Sequence, residues 1–232
     1  MPDWSNVLIV LGQSEPLGEE IGMRLQQAIE QDSALGRSSV RSRILRLPEL
    51  IELESDWSHL ANYQVCALTL NLPDWLTFPA QSVYRCCRDV VELQRQVSQW
   101  GYGVGEGNLW LPIVLTARGI LYGEVIAEPN ATLQYVQPVN LPDRWRQPLY
   151  SLGLRLLRSL QASPAVYMMR FSLQAEILFD RLLPFPAAPA IASWAVQMPD
   201  LFTCHWRCVS GKAIRDLVIP GQVVSGGARS GA

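Results

Sequence analysis

Asn6–Gly12 (NVLIVLG) is an unbroken apolar run that stops at a glycine. A strand apolar on both faces has to be covered on both, which fits the middle of a parallel sheet. Parallel strands need crossover connections, usually helical. Gly18–Gln31 (GEEIGMRLQQAIEQ) supplies one, with Ile21, Leu25 and Ile29 four apart and Glu19 and Glu20 in the first turn, where the helix dipole favours acidic groups. Ser33–Ser42 reads as a polar loop, Arg43–Leu47 as a second strand and Val65–Leu70 as a third, with a short helix within Pro48–Leu60. Ser82–Trp100 carries Val83, Cys87, Val90, Val91, Val97 and Trp100 on one broad stripe and reads as one long helix. Residues 1–101 therefore spell a small, Rossmann-like doubly wound unit.

Gly101–Asn108 (GYGVGEGN) has four glycines in eight residues and reads as a linker that breaks any regular element. Beyond it the pattern changes. Trp110–Ala117 and Leu121–Ala127 form a hairpin around Arg118-Gly119, followed by a strand at Thr132–Gln137. Asp143 is placed to cap a helix over Arg144–Leu160. Val166–Phe171 and Glu176–Asp180 form a second hairpin, and Leu183–Pro189 is a proline-rich loop. Ile191–Gln197 and Pro199–Ser210 are helical, with Gly211 as the stop. The fold class is α/β: a doubly wound unit, then an α+β part over residues 109–220. Residues 221–232, small and polar, read as a flexible tail.

Charge excludes some functions. The 19 basic and 21 acidic residues give a net charge of −2, so nucleic acid is not an expected partner. Lys212 is the only lysine among those 19 basic residues, whereas triphosphate-gripping and Schiff-base enzymes use lysines. No apolar run reaches membrane-spanning length, and the first residues lack the basic region of a secretory signal. The five cysteines, with Cys86 and Cys87 adjacent, make a poor disulfide framework and read as thiols of a cytoplasmic protein.

Gly12–Gly18 (GQSEPLG) sits between strand and helix, where an anion can bind, but has Glu15 where a phosphate would lie and reads as an ordinary turn. Cys204-His205-x-x-Cys208 lacks the paired knuckles of a zinc site. His59 and His205 are the only histidines, and His205 points off a different helix face from Cys204, so no thiol–imidazole pair is expected. Phe202 and Trp206, four apart, read as the inward side of the last helix. Asp180 ends a strand before a rigid loop; a salt bridge to Arg181 or Arg170 is its expected role, with a ligand contact as the alternative.

The order hairpin, strand, long helix, hairpin ending in a carboxylate, proline-rich loop and final helix resembles the C-terminal part of ATP-grasp enzymes. The likeness is to the carboxyaminoimidazole ribonucleotide synthase family. Ile113–Ile126 (IVLTARGILYGEVI) resembles its hairpin V-x-x-x-R-x-x-x-G-E, and Gln134–Pro142 (QYVQPVNLP) its lead into the long helix. Phe179–Pro189 (FDRLLPFPAAP) stands at its N-E-x-x-P-R-x-H-N-S-G, and Phe202, His205 and Arg207 fall on its F-x-x-H-x-R. The resemblance covers residues 110 to 216 and implies an ATP-dependent ligase scaffold. It also implies losses. The family's magnesium ligands, two Glu and an Asn, correspond here to about Met169, Asp180 and Phe179, its substrate-gripping Arg to Phe185, and its His-Asn to Ala187-Ala188. The small domain with the ATP-clamping lysines has no counterpart between the glycine-rich linker and Leu109.

The resulting expectation is a non-catalytic ATP-grasp-like scaffold, with no metal and no cofactor, that acts as an assembly or regulatory factor by binding another protein or its own copy. Trp75, Phe78, Phe185, Trp194 and Trp206 are the candidate contact residues, since Trp and Arg are enriched at interface hot spots. The alternative is a ligase or small-ligand-binding protein using a cleft with Arg118, Glu124, Arg170 and Asp180 as its polar groups.

Overall fold

The structure, a computed structural model, describes residues 5–13, 15, 17–36, 40–53, 62–129 and 134–220. The tail at 221–232, His59 and most of the Pro48–Leu60 segment lie outside the described residues.

The first sheet is parallel, in the order β2-β1-β3, from β1 (Asn6–Leu11), β2 (Arg41–Arg46) and β3 (Gln64–Ala67). Val7–Val10 have no exposed surface, as the apolar run required. At roughly 1.5–3 kcal/mol for each fully buried Val, Leu or Ile, this strand is a main source of the unit's stability. The crossover α1 (Gly18–Gly36) runs five residues past the expected end and takes up Asp32 and also Ser33, with which the expected loop begins. Ser33 Oγ donates back to Ile29 O at 2.6 Å, and Asp32 is held by donors from the other end of the chain. A tertiary contact overrides the polar signal. The short α2 (Leu47–Glu52) follows β2.

The long helix expected over Ser82–Trp100 is two: α3 (Gln81–Arg88) and α4 (Val90–Gln99). Asp89 leaves helical geometry at ψ 76 and its Oδ1 accepts the Glu92 N–H at 3.1 Å, capping α4. The break re-aims the second half, so that Leu93 and Val97 are buried while Val91 is 77% exposed. Both helices pack Val83, Cys87, Leu93 and Val97 under the second sheet.

That sheet runs β4-β10-β9-β5-β7-β8 with β6 also on β5. Its strands are β4 (Gly103–Val104), β5 (Leu109–Thr116), β6 (Gly119–Tyr122), β7 (Val125–Ala127), β8 (Val136–Val139), β9 (Ala165–Leu173) and β10 (Ile177–Leu183). The glycine-rich stretch thus does hold a regular element, because β4 pairs in parallel with β10. The single strand expected at Leu121–Ala127 is interrupted at Gly123-Glu124. Pro112 of β5 faces the gap with no N–H to give the ladder, and only its carbonyl is used, by Gly123 N–H at 2.9 Å. The helix α5 (Asp143–Ser159) is capped at Pro142 without a side-chain bond, so Asp143 lies in the first turn and is not the cap. The expected Ile191–Gln197 helix is a short 3₁₀ turn over Ala188–Ser193. The last helix, α6 (Leu201–Val209), is capped by Asp200, which accepts from Phe202 and Thr203 N–H. Gly211 ends it at φ 72.

The central strands of this sheet are buried on both faces. In β9, Val166 and Met168 join the core shared with β1 and α6, whereas Tyr167, Met169 and Phe171 join the core with α3, α4 and α5. Helix α6 packs on both α1 and β9, tying the two sheets together. Among the described residues, no helix is long and apolar enough to cross a membrane.

Candidate functional site

In a parallel sheet of order β2-β1-β3, successive connections diverge between β1 and β3, and the crevice beyond their C-terminal ends is where ligands bind in open α/β folds. Here that crevice faces the ends of β9 and β10. The result is a cavity of about 490 Å³, with Glu15, Leu68 and Asn71 from the first sheet and Trp110, Arg170 and Arg181 from the second. Arg88, at the end of α3, completes a set of three guanidiniums.

Asp180 organises them. It lies at an irregularity in the β9–β10 ladder between Phe179 and Arg181, where a bulge turns a side chain out of register. It is 3% exposed. Its Oδ2 lies 3.4 Å from Arg170 and accepts the Gly107 N–H at 3.0 Å, and its Oδ1 accepts from Arg181 Nε at 3.0 Å. The expected salt bridge therefore goes to both arginines. Arg170 also reaches Glu128 at 3.8 Å and lies 5.4 Å from the centre of the Trp110 ring. Arg170 Nε and Trp110 Nε1 are buried with no hydrogen-bond partner among the described residues. Tyr135 borders the cavity with its phenol pushed up to about 12, by burial first and then by Glu128, so it stays a neutral donor and acceptor. Glu15 accepts a hydrogen bond from the buried Thr69 hydroxyl.

The other two cleft candidates are elsewhere. Arg118 is exposed at the β5–β6 turn. Glu124 pairs with Arg146 at 3.6 Å and borders a different depression with Tyr122 and Asp216. Arg88, Glu128, Tyr135 and Asn71 were missed: they are spread along the chain and only the topology gathers them, whereas Glu15 was named only as an obstacle to a phosphate. Arg181, next to Asp180 in the chain, was the one with a sequence signal.

Of the aromatic candidates, Phe185 and Trp206 are buried at 3% and 1% exposure and belong to the core, which removes them from any exposed contact surface. Phe185 stacks on Tyr84 at 5.8 Å. Trp75 and Phe78 are half-buried after β3. Trp194 is half-buried with the Arg24 guanidinium 4.1 Å from its ring centre, beside a surface groove that includes Leu35, 80% exposed, and Met198, 66% exposed.

The positions that the family resemblance assigns to magnesium do not fit that ion. Met169 and Phe179 are fully buried apolar side chains, and the Asp180 carboxylate is already matched by two guanidiniums and an N–H. Among the described residues, no group of three or more His, Cys, Asp or Glu is arranged to hold a metal. The lone Lys212 lies far along the chain from this cleft, 2.7 Å from Asp32.

The sequence matches no family model and no curated protein. The fold does match solved structures. The chain is similar to glycinamide-RNase-transformylase T from Mycobacterium tuberculosis, with a TM-score of 0.64 at 16% identity over 91% of this chain and 82% of that one. It is similar to N5-carboxyaminoimidazole ribonucleotide synthetase from Thermotoga maritima, with a TM-score of 0.68 at 10% identity over 93% and 78%. The carboxyaminoimidazole ribonucleotide synthase from Aspergillus clavatus, in a structure complexed with ATP, gives 0.68 at 9% identity over 91% and 78%. The fold is therefore ATP-grasp-like, and the likeness extends beyond the C-terminal part to about nine-tenths of the chain.

Proposed function

We propose that this chain is a binding protein on an ATP-grasp-like scaffold, without ligase chemistry, and that its cleft takes a small molecule carrying a carboxylate or phosphate. The observation that carries this reading is the convergence of Arg88, Arg170 and Arg181 on one cavity between the two sheets. Each guanidinium offers five N–H donors in a rigid fork suited to such anions. Among the described residues few of them are used: Asp180 accepts from Arg181 Nε and pairs with Arg170 Nη1, Glu128 lies near Arg170 Nη2, and Arg88 makes only long contacts to Leu72 O and Asp74. Arg170 Nε has no partner among the described residues. The cleft is also rich in apolar wall, from Leu68, Trp110 and Phe185, so the ligand has an apolar or planar body behind its anionic group.

Thermal unfolding in the presence of nucleoside mono- and triphosphates, sugar phosphates and dicarboxylates tests this. A ligand at 100 times its Kd raises stability by about 2.7 kcal/mol. At least one class is expected to raise the Tm, with the rise lost in Arg181→Gln. Magnesium should add nothing to a nucleotide's effect, and no ADP should form from ATP. A flat response across the panel would overturn the anion reading, and ATP turnover would overturn the loss of chemistry.

A second reading, contact with another protein or a second copy of this chain, is favoured by one observation: Leu35, Met198 and Trp194 border a single surface groove between α1 and the start of α6. Light scattering and affinity capture with the full chain are expected to show self-association or one stoichiometric partner. Trp194→Ala, with folding intact, should reduce either at least tenfold, as for an interface hot spot. Unchanged association in that variant would remove the groove from consideration.

A further inference from the structure

A second cavity, of about 370 Å³, lies where the starts of β3, α3 and β9 meet the end of α6. It shares no lining residue with the arginine-lined cleft. Its walls include Cys66, Phe78, Tyr84, Tyr167, His205 and Cys208. Nothing in it is charged: both thiols are pushed up to about 12 by burial, and burial brings His205 down to about 4.

Most of its polar groups are turned away into the backbone. Tyr84 Oη donates to Ala67 O at 2.6 Å, Tyr167 Oη to Ser163 O at 2.7 Å, and Ser210 Oγ to Trp206 O at 2.7 Å. His205 is different. It is 2% exposed, and its Nδ1 accepts the Val166 N–H at 3.3 Å. In a neutral imidazole, accepting at Nδ1 places the proton on Nε2. No partner meets Nε2 among the described residues. That donor therefore has no protein acceptor among the described residues, and it belongs to a residue that lines an apolar space large enough for a ligand.

We infer that this cavity is a binding site for an uncharged, mostly apolar molecule of bicyclic size that carries one carbonyl or ether oxygen, which accepts from His205 Nε2–H. Charged molecules are excluded, because burying an ion without a counter-charge is far costlier than one hydrogen bond can offset. The phenyl and thiol walls supply contact area and the imidazole fixes orientation. The site is independent of the anion cleft, so either can fail without the other.

The test compares 2-acetylnaphthalene with 2-ethylnaphthalene, which share a shape and differ in the acceptor, binding to the full chain. Saturable binding of the ketone is expected. The ratio of ketone to hydrocarbon affinity should fall about tenfold in His205→Phe, the worth of one net hydrogen bond. Ala80→Trp, which adds bulk to the wall and leaves His205 in place, should weaken both probes at least tenfold. On the unmodified protein, ¹⁵N spectra should show His205 protonated at Nε2, with that resonance moved by the ketone and not by the hydrocarbon. This last measurement decides the matter even where His205→Phe does not fold. An unchanged affinity ratio in a folded His205→Phe, full binding in Ala80→Trp, protonation at Nδ1, or no saturable binding of the ketone would each overturn the inference.

Discussion

Asp32→Asn is expected to destabilise the protein by about 3 kcal/mol, as read from urea unfolding at neutral pH. Asp32 is 7% exposed in the last turns of α1. One oxygen accepts from Trp206 Nε1 at 3.1 Å and from Lys212 Nζ at 2.7 Å, and the other from Arg207 Nε at 3.1 Å. All three donors belong to α6 or the residues just after it, so this carboxylate joins the helix over the first sheet to the helix that covers the second. Asparagine keeps one acceptor oxygen but turns an NH₂ toward a donor, and leaves two cations facing a neutral group. Lys212→Met should cost far less, about 1 kcal/mol or under, because Trp206 and Arg207 still hold the carboxylate and Lys212 itself is a third exposed. Equal losses in the two variants would show that Asp32 is not the hub.

The pH dependence has a definite sign. Burial by itself raises the Asp32 carboxyl, but the hydrogen bonds from Lys212 and Arg207 outweigh it and leave the group below its usual value of 3.8. A depressed folded-state value means that the stabilisation is complete above the unfolded value and is lost as pH falls through the folded one. The gap between wild type and Asp32→Asn should hold from pH 7 to about 5 and close only below the ordinary carboxylate range. His205 acts in a higher window. Burial lowers it from 6.5 to about 4, so the unfolded chain binds the extra proton first and both proteins should lose stability together between those values.

This same carboxylate marks where sequence reading stopped short. The apolar run of β1, the Ile21–Leu25–Ile29 face of α1 and the hairpin β9–β10 are local patterns, and each is visible in a stretch of ten residues. Asp32 falls just past the visible end of the helix and Ser33 looks like a loop residue, because their partners lie over 170 positions away or one turn back. The break at Asp89 was hidden for a related reason: Val90 and Val91 continue the apolar stripe, although the fold leaves Val91 exposed. At the cleft, Asp180 and its two arginines were legible because they are neighbours on one hairpin, and Arg118 and Glu124 were misplaced because the hairpin that carries them points its turn elsewhere. Lys212 was read as evidence of lost nucleotide grip, and its observed work is the clamp on Asp32.

Gly107→Ala is expected to cost about 3 kcal/mol or to prevent folding, and to abolish ligand effects at the arginine-lined cleft. A Cβ on Gly107 would lie 2.7 Å from both N and O of Phe171. Those are backbone atoms of β9, paired on both sides with β5 and β10, and they cannot retreat without breaking the ladder. The same residue donates its N–H to Asp180 Oδ2, so any displacement loosens the carboxylate that orders Arg170 and Arg181. Gly101→Ala is the matched control from the same glycine-rich stretch. There the backbone has φ +85 but nothing lies within 4 Å of the added carbon, so the cost is conformational alone, about 1 kcal/mol. In sequence the four glycines of residues 101–108 look alike and read as a flexible joint. In the fold, Gly101 relieves a turn, Gly103 sits in β4 against Leu178, and Gly107 is where the backbone closes on the central sheet. Thermal unfolding of the two alanine variants, with the cleft ligand series repeated on each, separates the roles. If Gly101→Ala loses as much as Gly107→Ala, the stretch acts as a hinge; if only Gly107→Ala fails, it is part of the floor on which the cleft is built.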